Sequence, residues 1–216
     1  MRAGSWPRLY AVVDVAVAAA HRRDPVSLAQ AYLDGGARCL QLRARGIELG
    51  QLLEWSRAIV EAAERVGARV IINDRSDLTL MADAAGVHLG QDDLPVDAAR
   101  RLLGPDRLIG RSTHDEEQVA RALEDDVDYI AIGPVFATAT KETGYAPVGL
   151  DAVRRTRAQA GQTPVVAIGG ISLDTAPAVI AAGATSVAVI SDLMRDGEPV
   201  ERVRDYVDVL DRTPAP

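Results

Sequence analysis

Eight short runs rich in Val, Ile and Leu recur along this chain, with helical spacings between them, and this alternation most constrains how it folds. The runs are Leu9–Asp14, Cys39–Arg43, Arg69–Asp74, Gly86–Gly90, Leu108–Ser112, Tyr129–Val135, Val165–Gly169 and Ser186–Ser191. Most are continuously apolar, as strands covered on both faces are. Helical periodicity links Leu49, Leu52, Leu53, Ser56, Ile59, Val60 and Ala63. It also links Leu78, Met81 and Ala82, then Val119, Ala122 and Leu123, and finally Val200, Val203, Val207 and Leu210. Asp115 ahead of Glu116 and Glu117, and Ser172 ahead of Leu173, read as helix starts. The steps Gly36-Ala37, Gly67-Ala68 and Gly183-Ala184 read as helix ends, where glycine takes a left-handed cap.

About eight strand–helix units in 216 residues predict a compact α/β fold, a single-domain (β/α)8 TIM barrel over 1–216. The rival is an open doubly wound sheet, but no G-x-G-x-x-G follows the first run and the units repeat evenly. Only 1–7 and 212–216 read as loose ends. Hydrophobic residues make up 48% of the chain and aromatics 4%, so the core is expected to be mostly Ala, Val, Leu and Ile. A net charge of -7 argues against nucleic acid or an anionic membrane as a partner, while leaving room for a small anionic substrate. No apolar run is long enough to span a bilayer, and the expected setting is cytoplasmic. The single Cys39 can form no internal disulfide and belongs to no zinc pattern; it is expected in the core.

In a barrel of this kind the chemistry sits at the C-terminal ends of the strands. Polar residues gather there: Gln41 to Arg45, Asn73-Asp74-Arg75, Gln91-Asp92-Asp93, Ser112-Thr113-His114, Thr138 with Thr140 and Lys141, Gly169-Gly170, and Ile190-Ser191. Lys141 is the only lysine in a chain with 24 basic residues. A compact ammonium beside two hydroxyls suits phosphate oxygens or a leaving pyrophosphate. Arg43 is able to grip a diphosphate through two parallel hydrogen bonds; Arg45 and Arg75 also read as rim charges. Asp74 and Asp93 on neighbouring strand ends suit Mg²⁺, with Asp92 an open alternative and helix capping the plainer role. Gly169-Gly170 ahead of the Ser172 start is a second anion signal, with Ser191 placed to help. His88 reads as packed, His21 as a surface residue, and His114 as either a strand-end site residue or a capping neighbour.

These residues together resemble thiamine phosphate synthase. The resemblance rests on Gln41-Leu42-Arg43-Ala44-Arg45, Ile72-Asn73-Asp74-Arg75, Gly86 through Asp93, Ser112-Thr113-His114, Gly133-Pro134-Val135-Phe136 with Thr138 to Lys141, Val166 through Ile171, and Val189-Ile190-Ser191. It covers nearly the whole chain. It implies a (β/α)8 transferase joining 4-amino-2-methyl-5-hydroxymethylpyrimidine diphosphate to a thiazole phosphate, with release of pyrophosphate. It implies that Gln41 to Arg45, Asn73, Ser112 and Lys141 contact the pyrimidine diphosphate, with Arg43, Arg45, Ser112 and Lys141 carrying catalysis. Asp74 and Asp93 become the Mg²⁺ ligands, and Thr138, Thr140, Gly170, Ile190 and Ser191 hold the thiazole phosphate. One departure stands out: the family usually has lysine where this chain has Arg45, and the two side chains differ at a phosphate site. Two alternatives remain at this point: a thiazole tautomerase using His114 for proton transfer, and a non-catalytic barrel that binds a phosphorylated ligand.

Overall fold

The computed structural model describes residues 6–138, 144–195 and 197–214. Eight parallel strands close in sequence order into a barrel. They are β1 (Leu9–Asp14), β2 (Cys39–Arg43), β3 (Arg69–Asn73), β4 (Gly86–Leu89), β5 (Leu108–Thr113), β6 (Tyr129–Ile132), β7 (Val165–Ile168) and β8 (Ser186–Val189). β8 returns to β1, with Leu9 opposite Val187 and Ala11 opposite Val189. Helices α1 (Val15–Ala20) and α2 (Pro25–Asp34) follow β1, and α3 (Leu49–Glu64) follows β2. Then come α4 (Ser76–Met81), α5 (Val96–Leu103), α6 (Glu116–Glu124), α7 (Gly149–Ala160), α8 (Ala176–Ala181) and α9 (Pro199–Arg212), the last after a 3-10 turn at Ser191–Met194. The predicted TIM barrel is therefore the observed fold.

Strand side chains alternate between two apolar compartments. On the outer face Leu40, Leu42, Val70 and Ile72 pack against helix residues such as Leu28 and Ile59. Inside the barrel, Tyr10, Val12, Cys39, Ile71, Tyr129, Ala131, Val166 and Ala188 form a separate cluster. Burial pushes the Cys39 thiol up to about 12, with the Arg69 charge countering only part of the desolvation. The interior is narrow, so one large ring needs a gap opposite it. Gly110 on β5 supplies that gap: a Cβ there would lie 2.0 Å from Cζ of Tyr129.

The differences from expectation have local causes. β6 stops at Ile132 rather than Val135, because Pro134 has no N–H to continue the ladder. No helix begins at Ser172. Residues 172–175 instead form a turn, with Ser172 N–H donating to Thr175 Oγ1 (2.9 Å), and α8 starts at Ala176. The expected loose ends are partly tied down. The Trp6 ring lies on Tyr129 with centroids 4.8 Å apart. Arg8 donates to the carbonyls of Leu210 (2.8 Å) and Thr213, which anchors the end of α9. Asp115 caps α6 as predicted, accepting from Gln118 N–H (2.7 Å).

Gly110→Ala should destabilise the protein by about 2 kcal/mol or more, since overpacking a filled core forces rings and backbone apart. Urea unfolding measures this; a neutral result would mean that Tyr129 is not seated as described.

Candidate functional site

The inward positions of the strands change character along the barrel axis. Those nearer the N-terminal ends are Tyr10, Cys39, Ile71 and Tyr129; the next ones up on β2 to β5 are Gln41, Asn73, His88 and Ser112. Period-two alternation aims both sets at the same interior, so a pocket with an apolar base and a polar wall results. Gln41, Arg43, Asn73 and Ser112 line it from β2, β3 and β5. Thr138, Gly170, Ile190 and Ser191 line it from the loops after β6, β7 and β8. Arg45, Asp74 and Asp93 follow strand ends that line the pocket but are not part of its wall. Thr140 and Lys141 lie outside the described residues.

Arg43 is 14% exposed and its Nη1 donates to Asp14, which is 3% exposed. Asp14 also caps α1, accepting from Val17 N–H at 3.0 Å. The carboxylate at the end of β1 thus holds the guanidinium at the pocket wall, leaving its other N–H groups for an anion. Arg45 is 64% exposed and reaches Asp74 only at 3.8 Å. A pair so exposed is screened by water and contributes little to stability. Arg75 pairs outward with Asp77 (2.5 Å), as a rim charge, and holds that carboxyl below its usual range through their hydrogen bond.

Asp74 has φ +64°, a conformation that non-glycine residues rarely adopt. Arg75 N–H donates back to Asn73 C=O (2.8 Å), so Asp74 is the centre of a three-residue turn. Its own N–H donates to His88 C=O (2.8 Å), which locks the turn to β4. Backbone strain of this kind persists where the surroundings over-determine it, and clusters at functional sites. On the next strand end, Asp93 Oδ2 accepts from Gly90 N–H at 2.5 Å. Among the described residues no group of three or more His, Cys, Asp or Glu side chains could enclose a metal. Two aspartates at adjacent strand ends could instead hold an ion that keeps water and takes further oxygens from a bound phosphate, which is how Mg²⁺ binds.

Gly169 and Gly170 have φ values of +103° and +64°. A Cβ on Gly169 would meet Pro134 at 2.6 Å, and one on Gly170 would meet Ala137 O at 2.5 Å. The pair therefore seats the loop after β6, in addition to lining the pocket. The turn that follows has its donors partly occupied: Leu173 N–H donates to Asp192 Oδ2 (3.2 Å). Asp192 also accepts from Arg202 Nη2 (2.7 Å) and Tyr206 Oη (2.5 Å), and so ties the β7 loop, the 3-10 turn bearing Ser191, and α9 together. Burial and this carboxylate raise the Tyr206 hydroxyl pKa far above its usual value.

His88 was expected simply to pack; it is buried, yet it also lines the pocket. Its Nε2 lies 2.8 Å from Ser112 Oγ, and its Nδ1 lies 3.0 Å from Tyr129 Oη. Tyr129 Oη is 2.9 Å from Tyr10 Oη, which accepts from Gln41 Nε2 at 3.0 Å. Sequence reasoning missed both tyrosines. The signal available was their inward phase, two residues below pocket positions on β1 and β6. His114 also lines the pocket, with Nδ1 bonded to Gly133 C=O and its ring stacked on Tyr145, centroids 3.9 Å apart.

Asp14→Asn should keep the α1 cap and lose the charge. Leaving Arg43 largely buried without a counterion should cost about 3 kcal/mol in urea unfolding. A loss no larger than that of an exposed pair would show that water already balances Arg43.

Comparison with known proteins agrees with this geometry. A family profile described as thiamine monophosphate synthase matches residues 9–193. The thiamine-phosphate synthase of Anaeromyxobacter dehalogenans is 47% identical over 176 residues, covering 82% of this chain and 78% of that protein. That of Moorella thermoacetica is 40% identical over 190 residues, covering 88% and 90%. A solved structure of thiamine phosphate pyrophosphorylase from Pyrococcus furiosus superposes with a TM-score of 0.86 at 28% identity, covering 95% of this chain and 96% of the other. With its closed barrel, its polar-walled pocket at the strand ends and relatives at this level of identity, the chain belongs to the thiamine monophosphate synthase family and is a transferase.

Proposed function

We propose that this transferase joins 4-amino-2-methyl-5-hydroxymethylpyrimidine diphosphate to a thiazole phosphate, giving thiamine phosphate and pyrophosphate, with Mg²⁺ as its metal. The observation that carries the reading is one pocket with two different walls. Gln41, Arg43, Asn73 and Ser112 form one side, suited to a polar ring bearing a diphosphate. Gly170, Ile190, Ser191 and Thr138 form the other, suited to a second, phosphorylated ring. The synthase names of the curated relatives favour this reading over the tautomerase.

Catalysis on this reading is electrostatic and positional. The bond from the pyrimidine methylene to the diphosphate oxygen breaks, and its electron pair leaves with pyrophosphate. Arg43, fixed by Asp14, and Lys141 stabilise the charge that grows on the leaving group. Arg45 adds to this field from solvent. Asp74 and Asp93 would hold Mg²⁺, whose chemistry is to neutralise diphosphate oxygens. The electron-rich aminopyrimidine stabilises the methylene cation, and the thiazole nitrogen supplies the electron pair for the new C–N bond. That nitrogen carries no proton, so no general base is required. Holding both rings face to face supplies the rest. A cytoplasmic setting, where such phosphorylated intermediates circulate, is part of the same proposal.

Mixing both substrates with Mg²⁺ should release pyrophosphate; none released would end the proposal. Lys141→Ala should lower kcat by about 100-fold or more while the KM for the thiazole phosphate stays within about twofold, as loss of a transition-state charge contact does. Near-normal turnover would remove Lys141 from its role. Asp74→Asn should raise the Mg²⁺ concentration for half-maximal rate by about tenfold or more, and an unchanged metal titration would take Asp74 out of the metal site.

A further inference from the structure

The five inward-facing groups Gln41, Tyr10, Tyr129, His88 and Ser112 are joined by one run of hydrogen bonds, both ends of which line the pocket. Its middle is sealed from water: Tyr10 is 1% exposed and Tyr129 is 0% exposed. Burial raises the pKa of both tyrosines well above 10, so each brings one proton to the chain. Buried hydroxyls need their hydrogen bonds satisfied, and that requirement makes the chain directional.

The direction follows from counting protons. Gln41 Nε2 donates to Tyr10 Oη, so the Tyr10 proton points to Tyr129 Oη. The Tyr129 proton then points to His88 Nδ1, which must be the acceptor nitrogen of a neutral imidazole. The other ring nitrogen, Nε2, carries the hydrogen and donates to Ser112 Oγ. Ser112 is left with its own O–H to give, and Gln41 with its carbonyl to receive. A doubly protonated His88 would leave Tyr10 accepting twice, with its own buried proton unused.

We propose that Tyr10, Tyr129 and His88 are positioning residues that fix this polarity, so that the pocket presents one acceptor (Gln41 Oε1) and one donor (Ser112 O–H). A ring with an exocyclic amino donor and a ring-nitrogen acceptor matches both ends. The corresponding oxo ring, with an acceptor and an N–H donor, mismatches both. The inference rests on the pyrimidine reading above and deepens it: selection of the amino over the oxo pyrimidine is set by the three residues that join Gln41 to Ser112, with Tyr129 two links from the ligand at either end.

Tyr129→Phe breaks the chain in the middle by removing one oxygen, while the ring keeps its seat against Gly110. The wild type should favour the amino over the oxo pyrimidine diphosphate by about 100-fold or more in kcat/KM, the range for sites built around substrate hydrogen bonds. In Tyr129→Phe that ratio should fall by about tenfold or more, through the KM for the pyrimidine, with the KM for the thiazole phosphate within about twofold of normal. An unchanged ratio, or equal losses for both pyrimidines, overturns the proposal, since a merely structural defect has that signature. Should Tyr129→Phe not fold, Tyr10→Phe cuts the chain one link away and carries the same expectation. Should the wild type release no pyrophosphate, the proposed reaction fails, and calorimetry of the two pyrimidine diphosphates with wild type and variant decides the chain separately. Amino preference lost in the variant supports it; equal binding of both by the wild type refutes it.

Discussion

Closure of the sheet governs everything else in this molecule. Eight strands around one axis leave an interior only a few side chains wide, and every second strand residue must enter it. A residue too large at one level needs a missing side chain at the same level. Tyr129 and Gly110 are that pair, and the tyrosine then becomes the link across the barrel between β1 and β4. Packing and polar connectivity are thus one problem here, solved by the same ring.

The second constraint is charge. The protein carries -7 overall, yet the diphosphate site proposed for it needs local positive potential. Asp14 resolves part of this conflict. It is buried, it caps a helix, and it turns Arg43 toward the pocket wall instead of letting it reach solvent. Asp192 plays the corresponding part on the far side, gathering Arg202, Tyr206 and a backbone N–H so that the segment bearing Ser191 is fixed. Buried acidic residues thus build part of the frame that sets Arg43 and Ser191 at the pocket.

Much of this was readable in the chain. Runs rich in Val, Ile and Leu, most of them continuously apolar, marked all eight strands, because both faces of a parallel barrel strand are covered. Polar residues at the run ends marked the pocket, because only C-terminal strand ends open there. The residues that were not legible share one property: their roles depend on a partner far away in sequence. Asp14 reads only as the end of the first run until β2 is set beside β1. His88 reads as a packed core residue until β5 and β6 bring Ser112 and Tyr129 to its two nitrogens. Ser172 has the chemistry of a helix start, and its carbonyl accepts from Ala176 N–H, but the chain first makes a turn over 173–175 and the helix runs from Ala176. Local propensity was correct about the groups and silent about which contact would win.

The layout also suits a reaction in which charge separates. On the proposed reading, pyrophosphate departs toward Arg43 and the aspartates at the strand ends, and a positive centre grows on the ring below. A charged floor would either trap that cation or repel it. The groups beneath are uncharged: two tyrosines whose pKa burial pushes upward, and Gln41, whose amide does not ionise. Directed hydrogen bonds can still hold a neutral ring in register there, where a point charge would bias the chemistry. On that reading, separating uncharged groups below from a charged upper wall would let one narrow barrel bind an anion and still tolerate a cation close by.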